Sequence, residues 1–272
     1  MDFSSWIGNS VTRHDTITER MVDHFKDSLA PHCFAGQPVP PGLFWCLAPD
    51  VVAADQVGGD GHPKLGGFLP EIPYERRMWA GGWLEFYGQF AIGDEVQKTS
   101  RIDDITFKSG RSGNLCFVAV MHEFSVADRL ILRERHDVVY RETVTPASPQ
   151  PAPANELAPA HRWHVDANPV MLFRYSALTF NGHRIHYDLP YSINVEGHGG
   201  LLVHGPLQAT LMLNLACQIN EKQPQRMSYR GVRPLVCGDP IMVDADPVDA
   251  GGLTCCVRAA NGTVTMTAQV TL

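Results

Sequence analysis

Polar and apolar residues alternate through much of the first half of the chain. The alternation is clearest over residues 83–90, 96–108 and 115–126. A period of two residues is typical of β-strands, because successive side chains point to opposite faces of a sheet. The dipeptides Gly93-Asp94 and Ser109-Gly110 interrupt these runs as turns do. The pattern therefore predicts β-structure between residues 83 and 141.

Three segments have the features of helix starts. A capping-box pattern at residues 16–19 precedes four apolar residues on one helical face, and Pro31 follows them. These apolar residues are Met21, Val22, Phe25 and Leu29. Gly205-Pro206 opens an apolar stretch with leucines at 207, 211 and 215, and a Pro-Pro-Gly sequence precedes a shorter apolar stretch at 43–47. We predict helices over residues 18–29 and from 205 onward, with a further helix start near 43.

Short patterns of the first half recur in the second half in the same order. V-P-P-G at 39–42 is echoed by V-H-G-P at 203–206, and each precedes an apolar segment. Arg-Met followed by Gly occurs at 77–82 and again at 226–231, and Gly-Asp occurs at 93–94 and at 238–239. Recurrence in one order indicates a tandem duplication, in which each copy combines a helix with an antiparallel sheet.

A proline- and alanine-rich stretch without periodicity lies between the two copies. Its sequence over residues 145–160 is T-P-A-S-P-Q-P-A-P-A-N-E-L-A-P-A. This composition is typical of a semi-rigid, extended linker. We therefore predict a first domain over residues 1–144, a linker over 145–160 and a second domain over 161–272.

Composition narrows the classes of function. The net charge of −7 argues against a general nucleic-acid binder, which would usually be basic, but it leaves room for an anionic ligand held by a local group of arginines. Seven cysteines without metal-binding spacing are expected to be reduced thiols of a cytoplasmic protein. The N-terminus lacks the pattern of a signal peptide, and no apolar run reaches the length of a membrane span.

Residues 181–188, N-G-H-R-I-H-Y-D, hold the densest group of side chains able to do chemistry. His186 suits the task of a proton acceptor near neutral pH, and Asn181 could orient a water molecule but cannot titrate. The predicted helix start at Gly205 presents unpaired N–H groups, which stabilise negative charge on a carbonyl oxygen. Because Pro206 has no N–H, the donor would be Gly205 or Leu207.

Two simpler interpretations of this group stay open. A single histidine is more often a structural residue with satisfied hydrogen bonds than a catalytic one. His183 and His186, three residues apart with Asp188 nearby, could also bind a metal ion, but no further ligands cluster with them in the sequence. The sequence alone therefore leads us to expect no metal and no cofactor.

The combination of motifs resembles the MaoC-like hydratase/dehydratase family. The motifs are N-G-H-R-I-H at 181–186, V-H-G-P-L at 203–207 and S-Y-R-G-V-R-P-L-V-C-G-D at 228–239. V-P-P-G-L at 39–43 and E-R-R-M-W-A-G at 75–81 extend the resemblance over the whole chain. They are similar to hallmarks of a two-domain subgroup that includes itaconyl-CoA hydratases, mesaconyl-C4-CoA (3-methylfumaryl-CoA) hydratases and mitochondrial type 2 3-hydroxyacyl-thioester dehydratases.

The resemblance implies an α+β protein with a tandem (double) hot-dog fold, in which each half is a long helix wrapped by an antiparallel sheet. The first half would be a degenerate, fatty-acid-synthase-like dehydratase domain, and the second half would be the catalytic MaoC-like domain. The implied activity is a cofactor-free lyase, an enoyl-CoA hydratase. In this alignment Gly205 supplies the N–H of the oxyanion hole, and His186 is the base.

One departure from the family motif affects the proton chemistry. The family has an aspartate where this chain has Asn181, so the usual pair of acid and base cannot operate in its usual form. Either His186 works with Asn181 as a neutral residue that holds the attacking water, or another group substitutes as the acid. Asp188 and Glu196 are the nearest candidates in the sequence, and His183 and Tyr187 are weaker ones.

We predict the substrate-binding residues from the arginines and lysines of the chain and from side chains near the motifs. An arginine in the first half could clamp a free carboxylate in bidentate fashion, as a short dicarboxylyl-CoA would require. The predicted substrate-binding residues are Arg76, Arg77, Trp79, His183, Tyr187 and Leu207. The candidates for the phosphates of CoA, which an acidic protein must hold with a local basic patch, are Lys222, Arg226, Arg230 and Arg233.

The preferred substrates are C5 dicarboxylyl thioesters such as itaconyl-CoA or mesaconyl-C4-CoA. Three alternatives remain at this point: an (R)-3-hydroxyacyl-thioester dehydratase of fatty acid metabolism, an acyl-CoA-binding hot-dog protein without activity, and a hot-dog thioesterase. We expect a monomer or a homodimer, because two fused halves supply the pairing that single-domain relatives obtain by dimerising. We expect no nucleic-acid partner and no membrane partner.

Overall fold

The computed structural model describes residues 3–74, 76–110, 113–141, 158–249 and 251–272. Its main feature is one antiparallel sheet of ten strands in the order β1-β3-β4-β5-β2-β7-β10-β9-β8-β6. The strands are β1 (Ser10–Thr16), β2 (Arg76–Phe86), β3 (Glu95–Gly110), β4 (Gly113–Val126), β5 (Arg129–Arg141), β6 (His161–Val165), β7 (Arg226–Gly231), β8 (Ile241–Val248), β9 (Gly252–Arg258) and β10 (Val264–Thr271). The β-structure predicted between residues 83 and 141 is confirmed.

The strand order is symmetric about its centre, where β2 pairs with β7. Each strand of the first half has a counterpart at the mirrored position of the second half, so β1 corresponds to β6 and β3 to β8. The echoed sequences occupy equivalent places: the two Arg-Met segments lie on the paired central strands, and the two Gly-Asp dipeptides precede β3 and β8. The predicted tandem repeat is thus visible as a repeated sheet.

The described helices are α1 (Glu19–Leu29), α2 (Pro169–Thr179), α3 (Leu189–Asn194) and α4 (Gly205–Asn220). The predicted α1 is confirmed, but its cap is Thr18, whose side chain accepts the N–H of Met21 at 3.2 Å. Thr16 does not cap the helix because it is the last residue of β1 and pairs with Glu95. The helix α2 was not predicted, although Asn168 followed by Pro169 is a helix-start pattern.

The two halves differ in their helices. The long central helix expected in each half is present in the second half as α4, which packs against β7, β8, β9 and β10. All residues from Leu207 to Cys217 in α4 are buried, which makes this helix the centre of the core. The corresponding segment of the first half forms only a short 3₁₀ turn, Leu43–Cys46. Leu43 and Leu47 of this segment are buried in the same core as α4.

Asn214 fixes the first-half segment against α4. Its side-chain oxygen accepts the backbone N–H of Phe34 at 2.9 Å, and its amide donates to the carbonyl oxygens of Pro41 at 2.9 Å and Thr210 at 2.8 Å. Gly42 has a φ of +92°, and a β-carbon there would press on the Thr210 side chain. The V-P-P-G-L motif therefore follows the surface of the helix at van der Waals distance.

Replacing Asn214 by alanine is expected to lower the free energy of unfolding by about 2–4 kcal/mol, because two buried backbone groups lose their partners. The matched control is Asn220→Ala on the same helix, where the side chain donates only to the carbonyl oxygen of Ala216. The control should cost about 0.5–1.5 kcal/mol. Urea denaturation of both variants measures the difference, and equal losses would contradict this account of Asn214.

The division into domains at 1–144 and 161–272 stays a prediction. Strands β1 to β5 come from residues 10–141 and strands β6 to β10 from residues 161–271. Residues 145–157 of the predicted linker lie outside the described residues. Across the described ranges, none of the helices combines the length and the apolar character that a membrane span requires.

Candidate active site

The start of α4 forms the first wall of the site. Gly205 is the first residue of the helix, and no side chain caps the helix N-terminus with a hydrogen bond. A β-carbon at Gly205 would overlap the indole ring of Trp79 from β2, so only glycine allows this close packing. The Trp79 ring also stacks on Tyr229 of β7, with ring centroids 4.8 Å apart. The predicted residues Gly205 and Trp79, 126 positions apart in sequence, are therefore in contact.

His186 lies in a 3₁₀ turn, Arg184–His186, and its side chain is buried. Its Nδ1 is 2.8 Å from the carbonyl oxygen of Leu202. Because a carbonyl oxygen only accepts, Nδ1 carries the proton and Nε2 is left with a lone pair. Burial lowers the pKa of His186 to about 4, against a smaller opposing effect of this hydrogen bond. The ring is therefore neutral at pH 7 and ready to accept a proton.

His204 links His186 to the helix start. The rings of His186 and His204 stack with centroids 3.6 Å apart and an interplanar angle of 18°. His204 immediately precedes Gly205, is fully buried, and shares a 2.8 Å hydrogen bond between its Nε2 and the Ser176 hydroxyl. Burial holds the pKa of His204 well below its usual value. The stack places the imidazole of His186 beside the N-terminal turn of α4.

Asn181 follows the C-terminus of α2 and begins the turn that leads to His186. Its backbone N–H donates to Ser176 at 2.8 Å, and its side-chain oxygen accepts the N–H of His183 at 2.9 Å. The oxygen of the side-chain amide is thus used by the turn, and the NH₂ group is the part that could contact a water molecule. Asn181 is not part of the 3.6 Å stack between the rings of His186 and His204.

A loop of the first half reaches over this turn. Backbone atoms of residues 59 and 60 bind Arg184: the carbonyl oxygen of Asp60 accepts its N–H at 2.9 Å, and that of Gly59 accepts Nη1 at 3.0 Å. Gly61 has a φ of +92°, and a β-carbon there would overlap the carbonyl oxygen of Gly182. The long glycine-rich loop that precedes β2, residues 48–74, is therefore in close contact with residues 182–184.

The loop brings a further histidine to the site. The ring centroid of His62 lies 4.2 Å from that of His183, which in turn lies 5.5 Å from that of His186. Nδ1 of His62 is 3.0 Å from a carboxylate oxygen of Asp60. Desolvation lowers the pKa of His183 to about 2, with the neighbouring histidines adding to the effect. His62, His183, His186 and His204 form a continuous row of imidazoles.

Arg77 and Asp60 lie at the edge of a surface cleft of about 400 Å³. The guanidinium of Arg77 is 3.6 Å from the Asp60 carboxylate. The hydrogen bond from His62 and the charge of Arg77 hold the pKa of Asp60 below its usual value, against the opposing effect of burial. Tyr74 and Tyr140 also line the cleft, together with Lys64. Arg77, one of the predicted substrate-binding arginines, thus lines a cleft that other polar side chains share.

A metal ion was not expected, yet three ligand-type side chains converge here. Donor atoms of Asp60, His62 and His183 lie within 4.8 Å of one another. One carboxylate oxygen of Asp60 already contacts both the ring of His62 and the guanidinium of Arg77. A cation beside the carboxylate disfavours a second, divalent cation. We therefore interpret the group as a polar network in which the Asp60 carboxylate contacts His62 and Arg77.

Several predicted residues have other partners in the structure. Asp188 accepts two hydrogen bonds from the guanidinium of Arg184, at 2.8 and 3.0 Å, and caps α3 by accepting the N–H of Tyr191 at 3.0 Å. It serves the local fold, and we do not assign it the role of acid. The side chain of Leu207 is fully buried in the core, so only its backbone can face a ligand. Tyr187 is half exposed, and its hydroxyl donates to the carbonyl oxygen of Gly182 at 3.0 Å.

The remaining predicted cations do not form one patch. Lys222 follows the C-terminal end of α4, roughly 24 Å from the Gly205 end of a 16-residue helix. Arg226 contacts Glu85 at 3.3 Å and the Trp83 ring. Arg230 pairs with Gly81, near Trp79, and Arg233 follows two residues after the end of β7. Arg76 pairs across the strands with Arg141, and both charges act on His198.

Three features of the site were not predicted. His62 and Asp60 lie in the sequence D-G-H-P of the long loop. Their residue types suggest chemistry, but nothing in the sequence indicates that this loop contacts residues 182–184. His204 lies within the V-H-G-P motif itself, but the motif indicates a helix start at the glycine and gives no local signal for a role of the histidine. Ser176 precedes the motif by one helical turn and a half and becomes visible only through its hydrogen bond to His204.

The fold has close counterparts among solved structures. A MaoC-like dehydratase from Phytophthora capsici matches with a TM-score of 0.72 and 12% identity, covering 100% of this chain and 98% of that chain. A Mycobacterium tuberculosis protein described as having a double hotdog fold matches with a TM-score of 0.58 and 15% identity over 97% of this chain and 95% of the other. The protein thus has the double hot-dog fold of the MaoC-like dehydratases, as the sequence predicted.

Sequence comparison then defines the family. Residues 43–237 match the family model of hydroxyacyl-thioester dehydratase type 2, so the chain belongs to that family. Mesaconyl-C(4)-CoA hydratase of Chloroflexus aurantiacus is 40% identical over 253 residues, which cover 90% of this chain and 89% of the relative. The mitochondrial hydroxyacyl-thioester dehydratase type 2 of Schizosaccharomyces pombe is 24% identical over 270 residues, which cover 86% of this chain and 89% of the relative.

Proposed function

We propose that this protein is a cofactor-free hydro-lyase that adds water reversibly across the α,β double bond of an enoyl-CoA thioester. The observation that carries the proposal is the 3.6 Å stack of the His186 ring on His204, the residue immediately before Gly205. The stack puts a neutral imidazole next to the unpaired N–H groups of a helix N-terminus. Hydration of an enoyl thioester needs these two elements side by side: a base for water and donors for the enolate oxygen.

We propose a role for each residue of the site. The Nε2 of His186 removes a proton from water, since its Nδ1 is bound to Leu202. The side-chain NH₂ of Asn181 holds that water, and the N–H of Gly205 receives the thioester oxygen. Trp79 fixes the position of the helix start by packing on Gly205. His183 and Tyr187 flank the reacting atoms, and Leu207 contributes its backbone only.

The proposed substrates are short dicarboxylyl-CoA thioesters such as mesaconyl-C4-CoA or itaconyl-CoA. The 40% identity to a protein named mesaconyl-C(4)-CoA hydratase supports this class, as do the arginines at the start of β2. Arg77 lines the cleft next to the site and would clamp the free carboxylate, with Arg76 adding positive potential. Arg230 and Arg233, at the helix-start end of the molecule, are proposed to hold CoA phosphates, with Lys222 and Arg226 farther away.

A panel of thioesters tests the activity. Crotonyl-CoA, itaconyl-CoA and mesaconyl-C4-CoA are supplied separately, and loss of the enoyl absorbance and release of free thiol are followed together. We expect hydration, fastest with a dicarboxylyl thioester, and no thiol release. Thiol release would indicate a thioesterase. Tight binding without turnover would favour an acyl-CoA-binding protein, the alternative for which the neutral Asn181 is the specific argument. Crotonyl-CoA as the best substrate would favour a fatty acyl dehydratase.

Replacing Arg77 by glutamine is expected to lower the preference for dicarboxylyl over crotonyl thioester, measured as the ratio of kcat/KM values, by roughly 10- to 100-fold. This range corresponds to the loss of a charge-assisted hydrogen bond of about 1.5–3 kcal/mol. The ratio is the readout because the contact of Arg77 with Asp60 would affect both substrates alike. Arg129→Gln, at an exposed arginine of β5, is the control. An unchanged ratio would remove Arg77 from the carboxylate site.

The oligomeric state, monomer or homodimer, and the cytoplasmic location remain predictions. They do not affect the chemistry proposed for the site.

A further inference from the structure

We propose that His62, oriented by Asp60, is the second proton-carrying residue of this site and protonates the α-carbon during hydration. This inference rests on the proposed hydratase function. It identifies the residue that donates the proton in place of the family aspartate, which is Asn181 in this chain. The pair comes from the first half of the chain, from the loop that contacts the catalytic turn of the second half.

The chemistry requires a group of this kind. When water attacks the β-carbon, an O–C bond forms, the π bond breaks, and its electron pair moves toward the thioester oxygen. His186 takes one proton from the water. The α-carbon must then receive a proton as the enolate collapses, and Asn181 cannot supply one because an amide does not titrate. Protonation by His62 leaves His62 neutral and His186 charged, and exchange of one proton with solvent at each ring restores the starting state.

The position of His62 suits this task. Its ring lies 4.2 Å from His183, and His183 lies 5.5 Å from His186, so the row of rings ends at His62 on the side away from His204. The charge of His62 acts directly on His186, whose pKa it lowers. Two proton-carrying groups separated by one ring could serve two neighbouring carbon atoms of a substrate.

The loop is fastened where it meets the motif. Arg184 holds the loop backbone in place, because its Nη1 donates to the carbonyl oxygen of Gly59 and its backbone N–H donates to that of Asp60. Gly61 packs so closely on Gly182 that a side chain would not fit. These contacts hold His62 at a fixed place over residues 182–184, which a mobile surface loop would not do.

Asp60 and its neighbours control the proton affinity of His62. Five charged or titratable groups act on or contact the His62 ring: Asp60 on its own loop, Arg77 of β2, Glu196 beyond α3, and His183 and His186 of the turn that follows α2. Asp60 accepts the hydrogen bond from Nδ1 and favours the charged form, whereas burial and Arg77 favour the neutral form. Burial dominates and lowers the pKa of His62, which makes its charged form a stronger acid.

The other candidate acids have different partners. The carboxylate of Asp188 is bound by Arg184 and by the N–H of Tyr191. Glu196 accepts the Tyr191 hydroxyl at 3.3 Å. The hydroxyl of Tyr187 donates to a backbone carbonyl. Each of these three side chains thus has a hydrogen-bond partner outside the row of rings.

The test compares His62→Gln and Asp60→Asn with two controls, in full-length protein and with the best substrate of the panel. The controls are His24→Gln on the exposed face of α1 and Asp55→Asn at an exposed position of the same loop. We expect His62→Gln to lower kcat at least about 100-fold with little change in KM, the size of a general-acid contribution. Both controls should match the unmodified protein, and thermal unfolding should show that all four variants fold.

The pH profile separates proton transfer from a structural role. A general acid must be charged, so kcat should fall as pH rises through the pKa of His62. This falling limb should disappear in His62→Gln. In Asp60→Asn it should move to lower pH, because the carboxylate that favours the charged ring is gone. A His62→Gln variant with kcat within about twofold of the unmodified protein, or with the falling limb intact, would overturn the inference while leaving the hydratase proposal in place. If the unmodified protein hydrates no thioester, both proposals fall together.

Discussion

Replacement of His186 by alanine is expected to lower kcat by about 10²–10⁴-fold, the range of a general-base contribution. The imidazole is buried, and its Nδ1 donates to the carbonyl oxygen of Leu202. Its Nε2 therefore carries the lone pair that can accept a proton from water. Steady-state hydration kinetics with the best thioester of the panel measure the effect. Because burial lowers the pKa of His186 to about 4, the base stays neutral over most of the pH range, and its protonation should lower activity as pH falls toward that value.

The control for His186→Ala is His24→Ala, at an exposed histidine of α1 far along the chain from the motif. It should leave kcat unchanged. A His186→Ala protein that is folded and keeps more than about a tenth of the original kcat would show that another group activates the water. Within the row of rings, His183 would then be the first residue to examine, since it lies next to His186.

The second large effect is expected at Gly205. A methyl group at this position would overlap the Trp79 ring, so Gly205→Ala must shift either the indole or the first turn of α4. Removal or displacement of one oxyanion donor costs about 10²–10³-fold in kcat. We expect a loss in this range with a smaller change in thermal stability. Gly67→Ala is the matched control, because a β-carbon at Gly67 meets no atom within 4 Å.

A double-mutant cycle identifies the cause. Trp79→Phe replaces the indole that overlaps the new methyl group with a smaller ring. The double variant Gly205→Ala, Trp79→Phe should therefore recover part of the activity that Gly205→Ala loses. Residues in contact show such non-additive effects, whereas independent residues do not. Strictly additive losses would mean that Trp79 does not fix the helix start, and full activity of Gly205→Ala would remove its N–H from the mechanism.

The sheet and the helix start could be predicted because local patterns determine them. Strands β3 and β4 alternate in polarity, and Gly205-Pro206 is a helix-start sequence before an apolar run. The repeat was predictable for a related reason: the two Arg-Met segments occupy the paired central strands, where equivalent surroundings preserve similar residues. The resemblance of short motifs then defined the family, which the match over residues 43–237 confirms.

The contacts between distant segments could not be predicted. The docking of Asp60 on Arg184 depends on the path of a long loop, and nothing in the local sequence specifies that path. Asp188 was a candidate acid because it follows the base by two residues, but its place at the start of α3 commits it to capping. Leu207 was assigned to the substrate because it lies near Gly205, yet helical geometry turns its side chain into the core.

The missing long helix of the first half has the same explanation. The apolar segment after Pro40 has the composition of a helix start, but the carbonyl oxygen of Pro41 accepts a hydrogen bond from Asn214 of α4. Asn214 binds the chain before this segment at Phe34 and Pro41, and the segment itself forms only the 3₁₀ turn Leu43–Cys46. Tertiary contacts thus override a local tendency to form a helix.

A crystal structure of the protein with a bound, unreactive acyl-CoA analogue tests the central claim most directly. The account predicts that the thioester oxygen lies 2.7–3.1 Å, about the length of an oxyanion hydrogen bond, from the backbone nitrogen of Gly205. Nε2 of His186 should then face the β-carbon across the space of one water molecule. A thioester bound with its oxygen away from the start of α4, or with its β-carbon out of reach of His186, would contradict the account.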